Sequence, residues 1–595
     1  MKTFRKQIYN NTLYIRILFI ILNFMFAYSS NAQVDLQWES SHPGMDSEPS
    51  HFIVIDSSNN VFTIGEYGTI TKFNHFGDVL FIIEDTLQYP FEPKELIIDA
   101  DNRLIVIGIK NNPNDNIIKV RKLDLFGNLI WNLDVNLPEG TYESINDATL
   151  DPQNNIYLTG HNGTQFYKTF YSLCISKHGI LAWKTDKTPS QYGNLNVGMA
   201  IVATDSNNIY AVGIEHRPGN GSRKDAVTIK YDRFGTIIWS KKFSYHDWQN
   251  ITFGQRKTYG KKIDVDSLGN SYIIAFDYDH QHSVLVKYNN VGDEMWVLEV
   301  DPTMDSYYET VLVDNGFVYI GGGKGASYLY LHPHVVKLDF LGNIIWEGSY
   351  NDEFMIIKQL VKHNDGVVLI GDMPYSCFCG FDFITIRFDD NGTLDWVHEF
   401  TTNEVYSDEP FDICIDKAGG IYITGSSNGT FYDSKTYKLF DCQHVPDELT
   451  FTNGTFYASE IPGAHYTWVK CENNSTMTSG MGNSQYTPWI NGTYMAIITI
   501  GDCVDTTNCV YSSSTGLNES NSEDVLNIYP NPTSGNFVIE NLPVGFDYLQ
   551  IIDTEGRVII LSTSQQIDVS YLTSGMYVLR IITFDNVILK RLIKN

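Results

Sequence analysis

Asp205-Ser-Asn-Asn208-Ile-Tyr-Ala-Val-Gly213 and, shortly after it, Lys230-Tyr-Asp232-Arg-Phe-Gly-Thr-Ile-Ile-Trp239 hold the pattern that decides the fold. Asp and Asn make Asx turns and tolerate left-handed backbone, while the β-branched and aromatic residues beside them favour strands. Both halves recur. The acidic turn with its Gly-ended strand returns at Asp56 to Gly65, Asp99 to Gly108, Asp151 to Gly160, Asp266 to Ala275, Asp314 to Gly321, His363 to Gly371 and Asp416 to Gly425, making eight copies. The second half, closing on an aromatic, is clear at Lys122 to Trp131, Lys337 to Trp346 and Arg387 to Trp396, and looser where it ends at Phe81, Trp183 and Trp296. Only seven of these stand in order.

The missing copy matches Val34-Asp-Leu-Gln-Trp38 near the start, which resembles Ile237-Ile-Trp239, and the last in-order half, Asp416 to Lys438, lacks a closing strand. Borrowing that strand from the N-terminus closes a ring, as β-propellers do to protect sheet edges. The aromatics lie 43 to 57 residues apart, near the blade period of about 40–50. The expected fold is therefore all-β: a β-propeller over residues 33–440, with eight blades preferred and seven the alternative. The Gly ending each strand suits close approach between blades. The repeated Trp suits packing between blades, with carbohydrate stacking as the sharper alternative. Residues 34 to about 440 resemble the bacterial exported propeller repeats of the SBBP type, and that resemblance implies a scaffold rather than an activity.

Composition sets the class. Of 595 residues, 43% are hydrophobic and 13% aromatic, which argues against disorder. A formal charge of −29 disfavours nucleic acid, whose phosphates need Lys and Arg. Residues 1–32 carry Lys2, Arg5, Lys6 and Arg16, an apolar run from Ile17 to Tyr28 and the small residues before Ala32 and Gln33, and read as a signal peptide cut between those two. A retained anchor is the alternative. Removal takes four basic and no acidic residues, so the charge falls from −29 to −33.

Export permits disulfides, and four of the eight cysteines, Cys442, Cys471, Cys503 and Cys509, crowd into one short region, suggesting a stapled module whose pairing spacing leaves open. Cys174, Cys377, Cys379 and Cys414 read as structural or buried thiols. Trp468-Val-Lys-Cys471, Asn491-Gly-Thr-Tyr494 and Cys503 to Cys509 resemble the Ig-like modules that precede sorting tails in Bacteroidetes, which implies a β-sandwich over 441–513. Residues 514–524, rich in Ser, Asn and Glu, read as a linker.

Residues 525–595 carry Ile528-Tyr529-Pro530-Asn531-Pro532, Gly535, Asp553-Thr-Glu-Gly556-Arg557, Ile567-Asp-Val-Ser570, Gly575-Met-Tyr577 and Lys590-Arg-Leu-Ile-Lys594. In that order they resemble a type A sorting domain of type IX secretion, a small β-sandwich. The resemblance implies the secretion machinery as partner, passage through the periplasm, removal of the domain, and attachment to surface lipopolysaccharide or release. An ordinary C-terminal sandwich is the alternative.

Candidate chemistry is sparse. Tyr319-Ile-Gly-Gly-Gly-Lys-Gly325 lacks the Gly and Ser/Thr of a P-loop and reads as a glycine-rich blade turn. Asp277-Tyr-Asp279-His280-Gln-His282 and His332-Pro-His334 are metal-type ligands; His280 and His282 alternate on one strand face, but no third ligand is assignable, so a solvated loop is expected. The Asp turns lack the spacing of a dedicated Ca²⁺ loop. We therefore expect no catalytic residue, cofactor or metal. The preferred function is a secreted or surface propeller that binds a glycan or protein, or displays itself as a scaffold. The second is a polysaccharide hydrolase or lyase with carboxylates drawn from several blades.

Overall fold

A computed structural model describes residues 34–595, apart from 43–48, 85–90, 112–115, 137–141, 165–166, 188–194, 217–222, 250–256, 301–304, 326–330, 352–354, 375–380, 401–407, 429–431, 443–444, 473–474, 479–482, 489, 502, 513–526, 543–545, 554–556 and 584–586. The signal-peptide and linker expectations, Ala32, Gln33, Cys377, Cys379 and Gly556 all lie outside the described residues. Among the described residues no helix is long and apolar enough to cross a membrane.

The chain clusters into two compact units, 1–445 with 501–503, and 446–500 with 504–595. In the first, eight four-stranded antiparallel sheets follow one another among the described residues. The first comprises Ser50–Ile55, Val61–Gly65, Ile70–Phe73 and Val79–Ile83; the next six open at Phe91, Tyr142, Val197, Thr258, Asp305 and Ile356. The eighth holds Asp408–Ile415, Gly420–Asn428 and Tyr432–Asp441, and takes Val34–His42 as its outer strand, with Val34 opposite Asp441. The first strand of each sheet contacts the first strand of the next, and Ser50–Ile55 contacts Asp408–Ile415, so the ring closes.

The turns joining first to second and third to fourth strands share one chemistry. Asp266 accepts backbone N–H bonds from Leu268 and Asn270, the Asn270 side chain and the Tyr272 hydroxyl. Asp56, Asp151, Asp416, Asp124, Asp232, Asp339 and Asp389 each take the same two N–H donors, two and four residues on. The left-handed position in these turns is filled by Asn (Asn59, Asn102, Asn154) or Gly.

Trp residues join neighbouring sheets. Trp131, Trp183, Trp239, Trp296 and Trp346 each donate their indole N–H to a carbonyl in the third-to-fourth-strand turn of the next sheet. Each ring also fills the space against that turn's glycine: a Cβ on Gly179 would lie 2.6 Å from Trp131. Trp38 treats His75 and Gly77 in the same way, so the N-terminal strand behaves as an outer strand in its packing as well as its pairing. These contacts put the Trp residues between blades, as expected for core.

Two local readings change. Tyr319 to Gly325 is no turn but part of the strand Phe317–Gly325; a Cβ on Gly322 would sit 2.3 Å from the Tyr307 carbonyl oxygen, so glycine there is demanded by the neighbouring strand. Every innermost strand carries a register shift at one equivalent point, for example between Ile145 and Asp147 and between Pro410 and Asp412. The Gly ending the second strand faces that bulge, and a Cβ on Gly160 would lie 1.8 Å from the Ser144 carbonyl oxygen. The close approach is chiefly within a blade, not between blades.

The second unit begins with a three-stranded sheet (Leu449–Thr452, Thr455–Ala458, Gln485–Tyr486) and a five-stranded one centred on His465–Lys470 and Thr493–Ile500. Phe456, Trp468, Tyr486 and Tyr494 stack as its core. Among the described residues, disulfides join Cys442 to Cys503 and Cys471 to Cys509, and Cys174 and Cys414 are free. The last part pairs a three-stranded sheet (Asn527–Tyr529, Asn536–Glu540, Gln566–Asp568) with a four-stranded one (Val558–Ser562, Phe546–Ile552, Gly575–Thr583, Val587–Lys594). Phe537, Ile539, Leu549, Leu579, Ile581 and Leu592 form its core.

Candidate metal centre and neighbouring sites

The fifth sheet carries a cluster at the end opposite its Asp266 turn. There the hairpin between Ser271–Asp277 and His282–Tyr288 meets the helical turn Tyr245–Trp248, which lies on the connection from the fourth sheet. Ser244 caps that turn through Asp247 N–H, and the Tyr245 N–H donates to Thr258 Oγ1. Glu299, on the sheet's outer strand, accepts from the Tyr245 hydroxyl (2.8 Å) and the Gln249 side chain (3.1 Å). The helical turn is thus held over the hairpin.

This delivers His246 to the residues the sequence singled out. His246 Nδ1 lies 3.3 Å from Asp277 Oδ1, and His246 Nε2 lies 3.7 Å from Asp279 Oδ2. His280 Nδ1 lies 2.7 Å from Asp277 Oδ2, which also accepts the His280 backbone N–H. His246 and Asp277 are fully buried, whereas His280 is partly exposed. Neither His246 nitrogen, nor Asp277 Oδ1, nor Asp279 Oδ2 makes a hydrogen bond. One ligand atom from each of His246, Asp277 and His280 falls within 4.8 Å of the others.

The expected solvated loop is instead a partly buried cluster, joined by a third side chain of metal-ligating type, His246. The pairing of His280 with His282 is not what forms: His282 Nδ1 instead approaches Glu299 Oε1 at 3.5 Å. His334 is spent as well, on the Tyr308 hydroxyl and Glu347. His246 was missed because it lies about 30 residues from the hairpin, in Ser244-Tyr-His-Asp-Trp248, with no ligand spacing to mark it.

The central channel holds a second set of charges, set by the bulges. Asp147 Oδ2 accepts the Ile201 N–H of the next sheet (2.8 Å), Asp412 Oδ2 accepts that of Ile53 (2.9 Å), and Asp264 Oδ2 accepts that of Val313 (2.7 Å). These carboxylates cap the free inner edges of their neighbours. Lys262 Nζ stands 3.6 Å from Asp147 Oδ1. Burial pushes Asp412 and Asp264 up to about 6, against the N–H bonds they accept. Glu95 is raised well above the carboxylate range by burial, then by Asp147 and Asp412, with Lys262 opposing. The attraction of Asp147 raises Lys262 despite its depth in the ring; its side chain is half open to the channel, so water screens the pair.

In the C-terminal sheets, the Asn531 side chain donates to the Arg591 carbonyl (2.6 Å) and accepts the Ile593 N–H (2.8 Å), binding the Tyr529-Pro530-Asn531-Pro532 segment to the last strand. Tyr529 is exposed. The Gly535 carbonyl accepts from Val569 N–H, and Asp553 accepts from the Arg557 backbone N–H and guanidinium. Gly575 pairs with Lys594, Lys590 with Leu579, and the buried Tyr577 donates to the Thr573 carbonyl.

Residues 527–595 match the family described as the secretion system C-terminal sorting domain, and residues 395–432 match a β-propeller repeat family. No curated protein matches the chain. Similar solved structures include BamB from Moraxella catarrhalis (9% identity, 68% of this chain and 99% of that one, TM-score 0.41). The Dos1 propeller is 10% identical over 69% of this chain and 96% of its own, with a TM-score of 0.44. PorZ, described as a surface component of the type IX secretion system of Porphyromonas gingivalis, is 10% identical over 95% of this chain and all of its own, with a TM-score of 0.26. At TM-scores below 0.5 these likenesses bear no argument about this chain. The C-terminal domain marks the protein for type IX export, to the cell surface or the medium, and makes the secretion machinery its partner.

Proposed function

We propose that this is a binding and display scaffold: a propeller over 33–440 that presents a glycan- or protein-binding surface, followed by an Ig-like sandwich (441–513), a linker (514–524) and the sorting domain (525–595). Signal cleavage between Ala32 and Gln33 precedes export. Tyr529, Pro530, Asn531, Pro532, Gly535, Asp553, Gly556, Gly575, Tyr577, Lys590 and Lys594 act as the sorting elements, and the mature chain is attached to lipopolysaccharide or released. The observation that carries the non-enzymatic reading is the occupation of the channel acids. Asp147 and Asp412 approach Glu95 electrostatically, yet each spends an oxygen capping a neighbour's backbone amide. A glycosidase pair needs two carboxyl groups free to face a sugar, about 5–10 Å apart.

The test is to pass the purified mature protein over a panel of immobilised polysaccharides and outer-membrane proteins, recording retention and soluble products together. Retention without products is the expected result; released oligosaccharides would overturn it.

A further inference from the structure

We propose that His246, Asp277 and His280 form a binding site for one divalent transition-metal ion of the Zn²⁺ kind. The inference goes beyond the binding-scaffold reading and does not depend on it.

The first argument is electrostatic. A fully buried carboxylate with one oxygen lacking a hydrogen bond is expensive unless a cation compensates it. His246 lies 3.3 Å from Asp277 and 3.7 Å from Asp279, and forms a hydrogen bond to neither. A cation between His246 Nδ1 and Asp277 Oδ1 satisfies both of those orphaned atoms. The second argument is metrical. Zinc holds nitrogen and oxygen ligands at about 2.0–2.2 Å in a tetrahedron, so ligand atoms stand about 3.3 Å apart. The His246 Nδ1 to Asp277 Oδ1 separation has that value, and the three ligand atoms already share a 4.8 Å neighbourhood.

The third argument is support around the ligands. With Nδ1 on the ion, His246 Nε2 would carry its proton toward Asp279 Oδ2, the outer carboxylate that commonly orients a ligating imidazole. Glu299 fixes the helical turn that carries His246 through Tyr245 and Gln249. Two imidazoles and one carboxylate are a borderline donor set, unsuited to Ca²⁺ or Mg²⁺, which want oxygen ligands. Three protein ligands leave a fourth position for water or for a donor group of a bound partner. The ion would also pin the connection from the fourth sheet to the hairpin of the fifth.

The test uses the whole mature chain, stripped with chelator and titrated with Zn²⁺ against a chromophoric competitor. A Co²⁺ sample supplies the ligand-field spectrum. One ion per chain is expected, with a tetrahedral Co²⁺ band and no competition from millimolar Ca²⁺ or Mg²⁺. Asp277→Asn and the partly exposed His280→Asn should each weaken Zn²⁺ at least a hundredfold while keeping the native circular dichroism. Asp279→Asn should weaken it about tenfold to a hundredfold. His282→Asn, on Glu299, should leave it unchanged. Absence of stoichiometric Zn²⁺, or Zn²⁺ bound equally by folded Asp277→Asn and His280→Asn proteins, would overturn the assignment.

Discussion

The two faces of the ring are built on opposite principles. On one, the described connections are turns of two to five residues, most opened by Asp or Asn and satisfied by their own side chains and backbone. On the other, the connections range from the three residues between Asn428 and Tyr432 to the fourteen between Phe243 and Thr258, and no two have the same sequence. Repetition on the first face means that each turn solves the same problem, closing a hairpin, and most of those between third and fourth strands also receive the neighbouring sheet's Trp. A site needs groups that differ from their neighbours, and the second face supplies them. The His246, Asp277 and His280 cluster arises there because two unequal connections of adjoining sheets meet.

Perturbing each region separates these roles. The largest effect should come from removing Val34–His42, which strips a full ladder and the packing of Trp38 against Phe73 and Tyr422. A loss of about 5 kcal/mol or more is expected in denaturant melts, and a wild-type midpoint would show that the ring does not depend on closure. Next, Asp266→Ala removes the acceptor of four hydrogen bonds in a buried turn and should cost about 2–3 kcal/mol. Smaller is the pH effect of Asp412. Its carboxyl sits at about 6 in the folded chain against roughly 3.9 unfolded, so between those values the folded state binds the extra proton. Stability from this group is therefore full below about pH 4 and lost as pH rises to about 6. Allowing for partial exposure we expect about 1–2 kcal/mol, and Asp412→Asn should flatten that slope in melts between pH 4 and 7. The smallest change should follow Phe126→Ser at an 80% exposed turn tip, within about 0.5 kcal/mol of wild type.

The regular face was legible because its physics is local. An Asp followed by donors two and four residues on, with Asn or Gly at the left-handed position, declares its turn in five letters, and the displaced Val34 to Trp38 strand could be placed because the ring lacked one. The bulges were not legible. They let the innermost strands bend, and beside them Asp147, Asp264 and Asp412 accept backbone amides of the next sheet, while Lys261, Glu309 and Phe411 at bulged positions share no residue type. The metal cluster was half legible, since the hairpin announced His280 and Asp277, but His246 joins them only through the packing of Tyr245 on Glu299. Asn531 was recognisable by its motif, whereas its bonds to the last strand depend on tertiary register.

The most direct test of this division is a paired measurement of Zn²⁺ content and melting temperature, with and without chelator, on wild type, Asp266→Ala and a His246→Asn/His280→Asn double variant. The account predicts that Asp266→Ala melts lower yet keeps one ion per chain, while the double variant holds none and melts in chelator like chelated wild type. If the turn variant lost its ion, or the double variant melted as low as Asp266→Ala in the absence of metal, the two faces would not divide structure from chemistry.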